Sequence, residues 1–217
     1  MNEWVVIPAH NESQNLGSVL TEVKKHLFNI IVVDDGSKDE TSTIAQREGA
    51  SVLRHKVNLG KGSALKTGCD YALAQGAEKI IVIDGDGQHD PQEIPRILEG
   101  LNNYQVVLGC RQGSKNMPLV FRLGNSFINR TINLLYGVNI KDSQCGYRGF
   151  TSSAYKKIRW NASDYFLETE MITKLAKNKL SYSQIDIKTI YNDRYKGTTI
   201  LDGVKIVLKI IGWRLWR

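Results

Sequence analysis

IIVIDGDGQHDP (residues 80–91) sets four β-branched apolar residues directly before two carboxylates, Asp84 and Asp86, one residue apart. So continuous an apolar run suits a strand buried on both faces, which leaves the acidic, glycine-bearing turn at its carboxyl end. Pro91 then opens a helix. The same alternation recurs along the chain. WVVIP (4–8), IIVVD (30–34), ASVLR (50–54) and YQVVLG (104–109) are further expected strands. Amphipathic stretches separate them: Leu16, Val19, Leu20, Val23 and Leu27 mark one helix, Glu40 to Gly49 a second, and Lys61 to Gln75 a third. Repeated β-α-β units imply an α/β fold, a mostly parallel central sheet flanked by helices, with ligands beyond the strands' carboxyl ends. PAHNE, DDGSKDET and DGDGQHD each follow a strand directly, so all three converge on one rim.

After Arg111 the pattern changes. A helix is expected over 118–137, then the segment DSQCGYRGF (142–150), a helix near 165–178, a polar strand at 183–190 and a C-terminal amphipathic helix. No Pro- or Ser-rich linker and no repeat interrupts the chain, so one domain is expected. Cys69, Cys110 and Cys145 are odd in number and far apart, which suits neither a disulfide framework nor a zinc knuckle. A net charge of +7 asks for an acidic partner. Nucleic acid is not expected, because no RNA-recognition aromatic signature, helix-turn-helix or zinc pattern is present. No stretch reaches the ~18 apolar residues of a membrane span. The chain enters strand-like WVVIP with no leader pattern, so a cytoplasmic location is expected.

The acidic turn has four readings. A calcium loop needs Gly sixth and Glu twelfth from Asp84, where the sequence has His89 and Pro95. A phosphatase with a strand-then-DxDG nucleophile has Thr or Ser where Gln88 stands and carries the motif near its start. An ordinary acidic turn accounts for Asp90 but leaves Asp84 and Asp86 as like charges against a buried strand end. A divalent cation with a diphosphate accounts for both, since hard cations take oxygen ligands and keep substrate phosphates in their shell. Asp86 and the amide oxygen of Gln88 can face one ion.

VVIPAHNE (5–12), VVDDGSKDET (32–41), NLGKGSALKTG (58–68), VIDGDGQHDP (82–91), LGCR (108–111) and DSQCGYRGF (142–150) together resemble the family-2 glycosyltransferases of the GT-A fold, and among them the polyprenyl-phosphate (dolichyl-phosphate) sugar transferases. The resemblance spans about residues 3–198 and implies a nucleotide-binding half to about 111, an acceptor half over 112–198, and the helix 199–217 beyond. It implies that Pro8, His10, Glu12, Asp34 and Asp35 line the nucleotide pocket, with His10 where the family often has an aromatic residue. Asp84 and Gly85 would abut the sugar or ribose, and Asp86 and Gln88 would hold Mg²⁺ or Mn²⁺. Arg111, Arg122, Ser126 and Arg148 would take the acceptor phosphate. Glu170 matches the position of a general base in relatives that glycosylate hydroxyls, and Arg194 and Lys196 would cover the diphosphate from a loop. Lys61 is a further candidate for phosphate, against the plain reading of a solvated helix-start lysine. The implied reaction is an inverting transfer from a UDP- or GDP-sugar to a polyprenyl or dolichyl phosphate. A sugar hydroxyl is the alternative acceptor.

The tail, residues 199–217, carries an apolar stripe at 200, 201, 204, 207, 208, 211 and 215, widened by Ile206, Ile210 and Trp213. Lys205, Lys209, Arg214 and Arg217 charge it, which fits an in-plane helix at a membrane surface. The plainer expectation is a helix packed on the domain's own core.

Overall fold

The computed structural model describes residues 2–111, 119–164, 166–188, 190, 205–210 and 212, without the side chains of 119–123. Seven strands form one sheet: β1 (Glu3–Ala9), β2 (Ile30–Asp34), β3 (Ser51–Arg54), β4 (Lys79–Val82), β5 (Val106–Arg111), β6 (Arg148–Thr151) and β7 (Tyr182–Ile187). Their order is β3-β2-β1-β4-β6-β5-β7. Every pairing is parallel except those of β6, which runs antiparallel to β4 and β5. The chain leaves β1 toward β2 and β3, then crosses back to β4 on its other side. That reversal opens the crevice in which open α/β sheets bind ligands.

Side chains alternate along β1. Val5 and Ile7 point to one face of the sheet, under α1 (Leu16–Val23), α2 (Thr41–Arg47) and α4 (Ile94–Gly100). Val6 points to the other, under α3 (Lys61–Ala74), α5 (Leu119–Tyr136), α6 (Ser152–Ile158) and α7 (Leu167–Lys177). Both faces are covered, which is why these strands read as unbroken apolar runs. A single turn of 3₁₀ helix, Pro91–Glu93, precedes α4 and is capped by Asp90, whose carboxylate accepts from Gln92 N–H at 3.0 Å.

Two elements, β6 and α6, lie where the sequence suggested only an irregular segment. β6 is four residues long and begins with an arginine. Its direction matters for the site: Arg148, its first residue, pairs with Val82 at the end of β4. An antiparallel strand is entered from the rim that its parallel neighbours leave. The loop 142–147 is thereby delivered beside DGDGQ.

Residues 205–210 are helical, and the rest of 199–217, Gly212 aside, lies outside the described residues. Ile206 and Ile210 are buried in the core beneath α5 and α7, and Tyr136 Oη donates to the Ile210 carbonyl at 3.2 Å. Leu208 points outward, 64% exposed. This part of the tail follows the plainer expectation on one face. Ile210→Ala should therefore destabilise the protein by about 2–4 kcal/mol in denaturant titration, and Leu208→Ser by less than about 0.5 kcal/mol. Equally small losses would detach the tail from the core.

Candidate active site

The rim is built around one cation. Lys61 is the first residue of α3, and its Nζ sits 2.8 Å from Asp84 Oδ1 and 3.0 Å from Glu168 Oε1. The three side chains come from α3, from the loop after β4 and from the first turn of α7. Nothing local places Lys61 there. Asp35, at the end of β2, does it: its Oδ1 accepts from Leu59 N–H at 2.9 Å and from His55 at 2.7 Å, and its Oδ2 from Gly60 N–H at 2.8 Å. Gly60 immediately precedes Lys61, so Asp35 sets where α3 starts. Gly36 permits the turn that brings these segments together, with φ +73° and the Val57 carbonyl carbon 2.6 Å from where a Cβ would stand.

The same close packing explains a glycine opposite. A Cβ on Gly146 would lie 2.8 Å from both Asp84 Oδ2 and Lys61 Nζ, so a larger residue there would have to displace the ion pair that CGYRG crosses. Arg148 secures that crossing. It is 1% exposed, and its Nε, Nη1 and Nη2 donate to the carbonyls of Cys145, Glu168 and Ser143 at 2.8, 2.8 and 2.7 Å. This corrects the expectation that Arg148 meets an acceptor phosphate. Its guanidinium is spent inside the protein, tying the loop to the turn that carries Glu168.

Burial by itself would raise the pKa of Asp84, but Lys61 and then His89, whose Nε2 is 3.5 Å from Oδ2, outweigh it and hold the carboxyl well below the usual range. Lys61 is held far above its ordinary value, its two carboxylates overcoming its own burial. Asp86 goes the other way: burial and then the charge of Asp84 raise it. One carboxylate is thus neutralised by the protein and the other is left in need of positive charge.

That imbalance is where a cation fits. Asp86 Oδ1 accepts from Gln88 N–H at 3.0 Å, which folds the loop so that both side chains belong to one turn. Among the described residues no group of three His, Cys, Asp or Glu stands ready to hold a metal. An oxygen pair from Asp86 and Gln88, completed by phosphate and water, is the kind of partial shell Mg²⁺ accepts. Thiolate chemistry has no place here, since burial pushes Cys110 up to about 11 and Cys145 to about 12.

The remaining expected residues divide. Pro8 pairs with Val33 across β1 and β2, and its carbonyl oxygen lies 3.2 Å from a Cβ built on Gly85, so these two buried residues are packed against each other at the strand ends. His10 is half-buried at the β1 loop. Glu12 opens α1, its carbonyl accepting from Asn15 and Leu16 N–H. Asp34 is fully buried, with Ser37 N–H donating to Oδ1 at 2.8 Å, Ser42 Oγ donating to Oδ2, and Arg54 Nε 3.5 Å away. It therefore shapes the DDGS turn from within, against the expectation that its carboxylate lines the nucleotide pocket. Arg111 makes a two-pronged pair with Asp142, Nε to Oδ2 at 2.7 Å and Nη2 to Oδ1 at 2.9 Å. Ser126 is exposed on α5. The side chain of Arg122, and Arg194 and Lys196 entirely, lie outside the described residues.

Glu170 is also corrected. Two residues apart on a helix, Glu168 and Glu170 point about 200° apart. Glu168 takes the rim. Glu170 turns away to accept from Asn161 and Ala162 N–H at 3.0 and 2.8 Å and from Lys174 at 2.8 Å. Sequence reasoning, weighing both acids of FLETEM (166–171), preferred Glu170 to Glu168, and only the apolar spacing of α7 (Leu167, Met171, Leu175) carried a signal for which of them faces the rim.

Lys61→Met tests the arrangement. With the lysine, Asp84 has a folded pKa below 3.8, so the pairing stabilises above pH ~4 and is lost as pH falls through the folded value. Without it, only His89 opposes burial, so that pKa rises and the stability gained above pH ~4 shrinks. The deficit of Lys61→Met should be about 2 kcal/mol at neutral pH and shrink toward pH ~4.5 in denaturant titrations. A pH-independent deficit would show that Lys61 acts by packing alone.

The profile of Glycosyl transferase family 2 matches residues 4–159. The UDP-N-acetylglucosamine–dolichyl-phosphate N-acetylglucosaminyltransferase of Methanococcus voltae is 32% identical over 236 residues, covering 96% of this chain and 94% of its own. The polyprenol monophosphomannose synthase of Mycolicibacterium smegmatis is 27% identical, covering 96% and 85%. Glucosyl-3-phosphoglycerate synthase from Mycobacterium tuberculosis, crystallised with Mn²⁺, UDP-glucose and phosphoglyceric acid, superposes with a TM-score of 0.77 over 97% of this chain and 80% of that one. At 20% identity that likeness bears on the fold. With the family profile over most of its length and a relative this similar along nearly all of it, the protein belongs to the family-2 glycosyltransferases.

Proposed function

We propose that this glycosyltransferase transfers a sugar, with inversion, from a UDP- or GDP-sugar to a polyprenyl or dolichyl phosphate. One observation carries the choice of acceptor. Of the two described acids in the first turn of α7, Glu170 turns from the rim and is held by two backbone N–H groups and Lys174, and Glu168 shares Lys61 with Asp84. Neither is poised as the general base that a sugar hydroxyl requires. A phosphate oxygen is already ionised at neutral pH and needs none. The names of the two relatives, a dolichyl-phosphate and a polyprenol transferase, support the same class of acceptor.

In this reading Pro8, His10, Glu12 and Gly85 line the donor pocket, while Asp34 and Asp35 shape it from behind. Asp84 abuts the donor, fixed by Lys61. Glu168 Oε2, buried without a hydrogen-bond partner, is assigned to a non-reacting hydroxyl of the donor sugar. Asp86 and Gln88 would hold Mg²⁺ or Mn²⁺, which offsets charge growing on the leaving diphosphate. Arg111, aligned by Asp142, with Arg122 and Ser126 from α5, would receive the lipid phosphate. Arg194 and Lys196 are assigned to the diphosphate.

A lipid acceptor has to be met at a bilayer. Among the described residues no helix is long and apolar enough to cross one. Phe127 and Leu134, 60% and 85% exposed, share one face of α5 with exposed Arg130, and Leu208 with Lys205 continues outward apolar and basic character in 205–210. That surface supports peripheral attachment to a membrane, which we assign to the cytoplasmic face.

Incubation with nucleotide sugars, Mg²⁺ or Mn²⁺, and polyprenyl phosphates, followed by mass spectrometry of the lipids, should reveal a glycosylated lipid phosphate. Asp86→Ala and excess EDTA should abolish it, EDTA reversibly. Turnover only with water-soluble hydroxyl acceptors would overturn the acceptor, and full activity in EDTA the metal. Co-sedimentation with anionic vesicles should fall on Phe127→Ser/Leu134→Ser and weaken but persist as salt rises, because inserted apolar area is not screened. Equal sedimentation of both proteins would move the contact elsewhere.

A further inference from the structure

The loop after β1 contains a hydrogen-bonded chain whose consequence is chemical. Asn11 has φ 55°, in the left-handed region where residues other than glycine are uncommon and Asn is favoured. In that conformation its N–H donates to Ser37 Oγ at 2.9 Å, and its Oδ1 accepts from Lys38 N–H at 2.8 Å. The second bond settles which end of the amide is which. Nδ2 is left facing Nε2 of His10, 3.1 Å away. An amide nitrogen only donates, so Nε2 accepts and carries no proton. On the other side of the ring, Nδ1 lies 2.8 Å from the carbonyl oxygen of Asp35. A carbonyl only accepts, so Nδ1 carries the proton.

We propose that Asn11 is a positioning residue that locks His10 as the neutral Nδ1–H tautomer and so presents its ring to the donor's nucleobase as an aromatic face. The proposal rests on the donor-pocket reading above. Both ring nitrogens are consumed by the protein, one by Asn11 and one by the Asp35 carbonyl, so neither is left to recognise a base edge. What remains is the π-face, and a flat heteroaromatic base is the ligand that stacks on one. Asn11 thus lets an imidazole serve at a position where an uncharged aromatic ring is otherwise expected. It acts through His10 and touches no substrate itself.

Two measurements test this. Long-range ¹H–¹⁵N spectra of the intact protein should show His10 as a single Nδ1–H tautomer, and Asn11→Gly, which tolerates the left-handed backbone, should release the ring to a mixture. Calorimetric titration of UDP and GDP with Mg²⁺ or Mn²⁺ should then show Asn11→Gly weakening the bound nucleotide about fivefold, the worth of one lost hydrogen bond. In the His10→Phe background, where the ring has no nitrogens to lock, the same change should cost less than about twofold, because the two residues act as a pair. An Nε2–H tautomer in the unaltered protein would overturn the lock. Equal losses in both backgrounds would make Asn11 a loop residue only. If the unaltered protein binds neither nucleotide, the donor reading and the stacking role fall together, while the spectra still decide the tautomer.

Discussion

Asp84 and Asp86 stand one residue apart at the end of a buried strand, and the rest of the rim is arranged around the repulsion between them. A like-charged pair in this setting persists only if positive charge comes from outside the loop. The fold supplies it to Asp84 through Lys61, while burial and the charge of Asp84 raise Asp86, the residue proposed to take a cation. The division of labour has a physical logic. In the proposed reading, a fixed lysine would hold the donor side of the site in one geometry between turnovers, whereas a cation entering with a diphosphate would bring charge compensation only when there is a leaving group to stabilise.

Supplying that lysine recruits most of the topology. Asp35, just past β2, grips the backbone at Leu59 and Gly60 and so sets the first turn of α3. Arg148, at the start of the one antiparallel strand, fastens the 142–147 loop and the first turn of α7 to each other through backbone carbonyls. Gly146 leaves room for the ion pair to pass under that loop. Elements distant in sequence meet at a single ammonium group, and a change at any of them should be felt at Asp84.

How far the sequence disclosed this depends on what kind of information each feature needs. The strands around IIVVD and IIVID and the helices between them were legible because burial on both faces writes an unbroken apolar run, and the rim followed from which motifs trail which strands. β6 was hidden. Four residues beginning with Arg and Gly look like loop, and only its pairing with Val82 and Leu108 makes them a strand. Arg148, Asp34 and Glu170 were assigned outward, because a motif gives position along the chain and not the direction of a side chain. Glu168 was passed over for the same reason: which of two acids faces inward depends on how α7 is rotated against its neighbours. Lys61 was weighed as a phosphate contact, and its partnership with Asp84 and Glu168 is a long-range fact that no local spacing encodes.

The measurement that bears most directly on this arrangement is binding of a nucleoside diphosphate with and without a divalent cation. UDP and GDP would be titrated calorimetrically into the intact protein and into Asp86→Asn, each in excess Mg²⁺ or Mn²⁺ and in EDTA. If Asp86 awaits a cation that arrives with the diphosphate, the intact protein should lose at least about tenfold in affinity in EDTA. Asp86→Asn should be weak in both conditions, showing little further loss on chelation. Equal affinity of the intact protein with cation and with EDTA would contradict the division of charge between Lys61 and a bound metal.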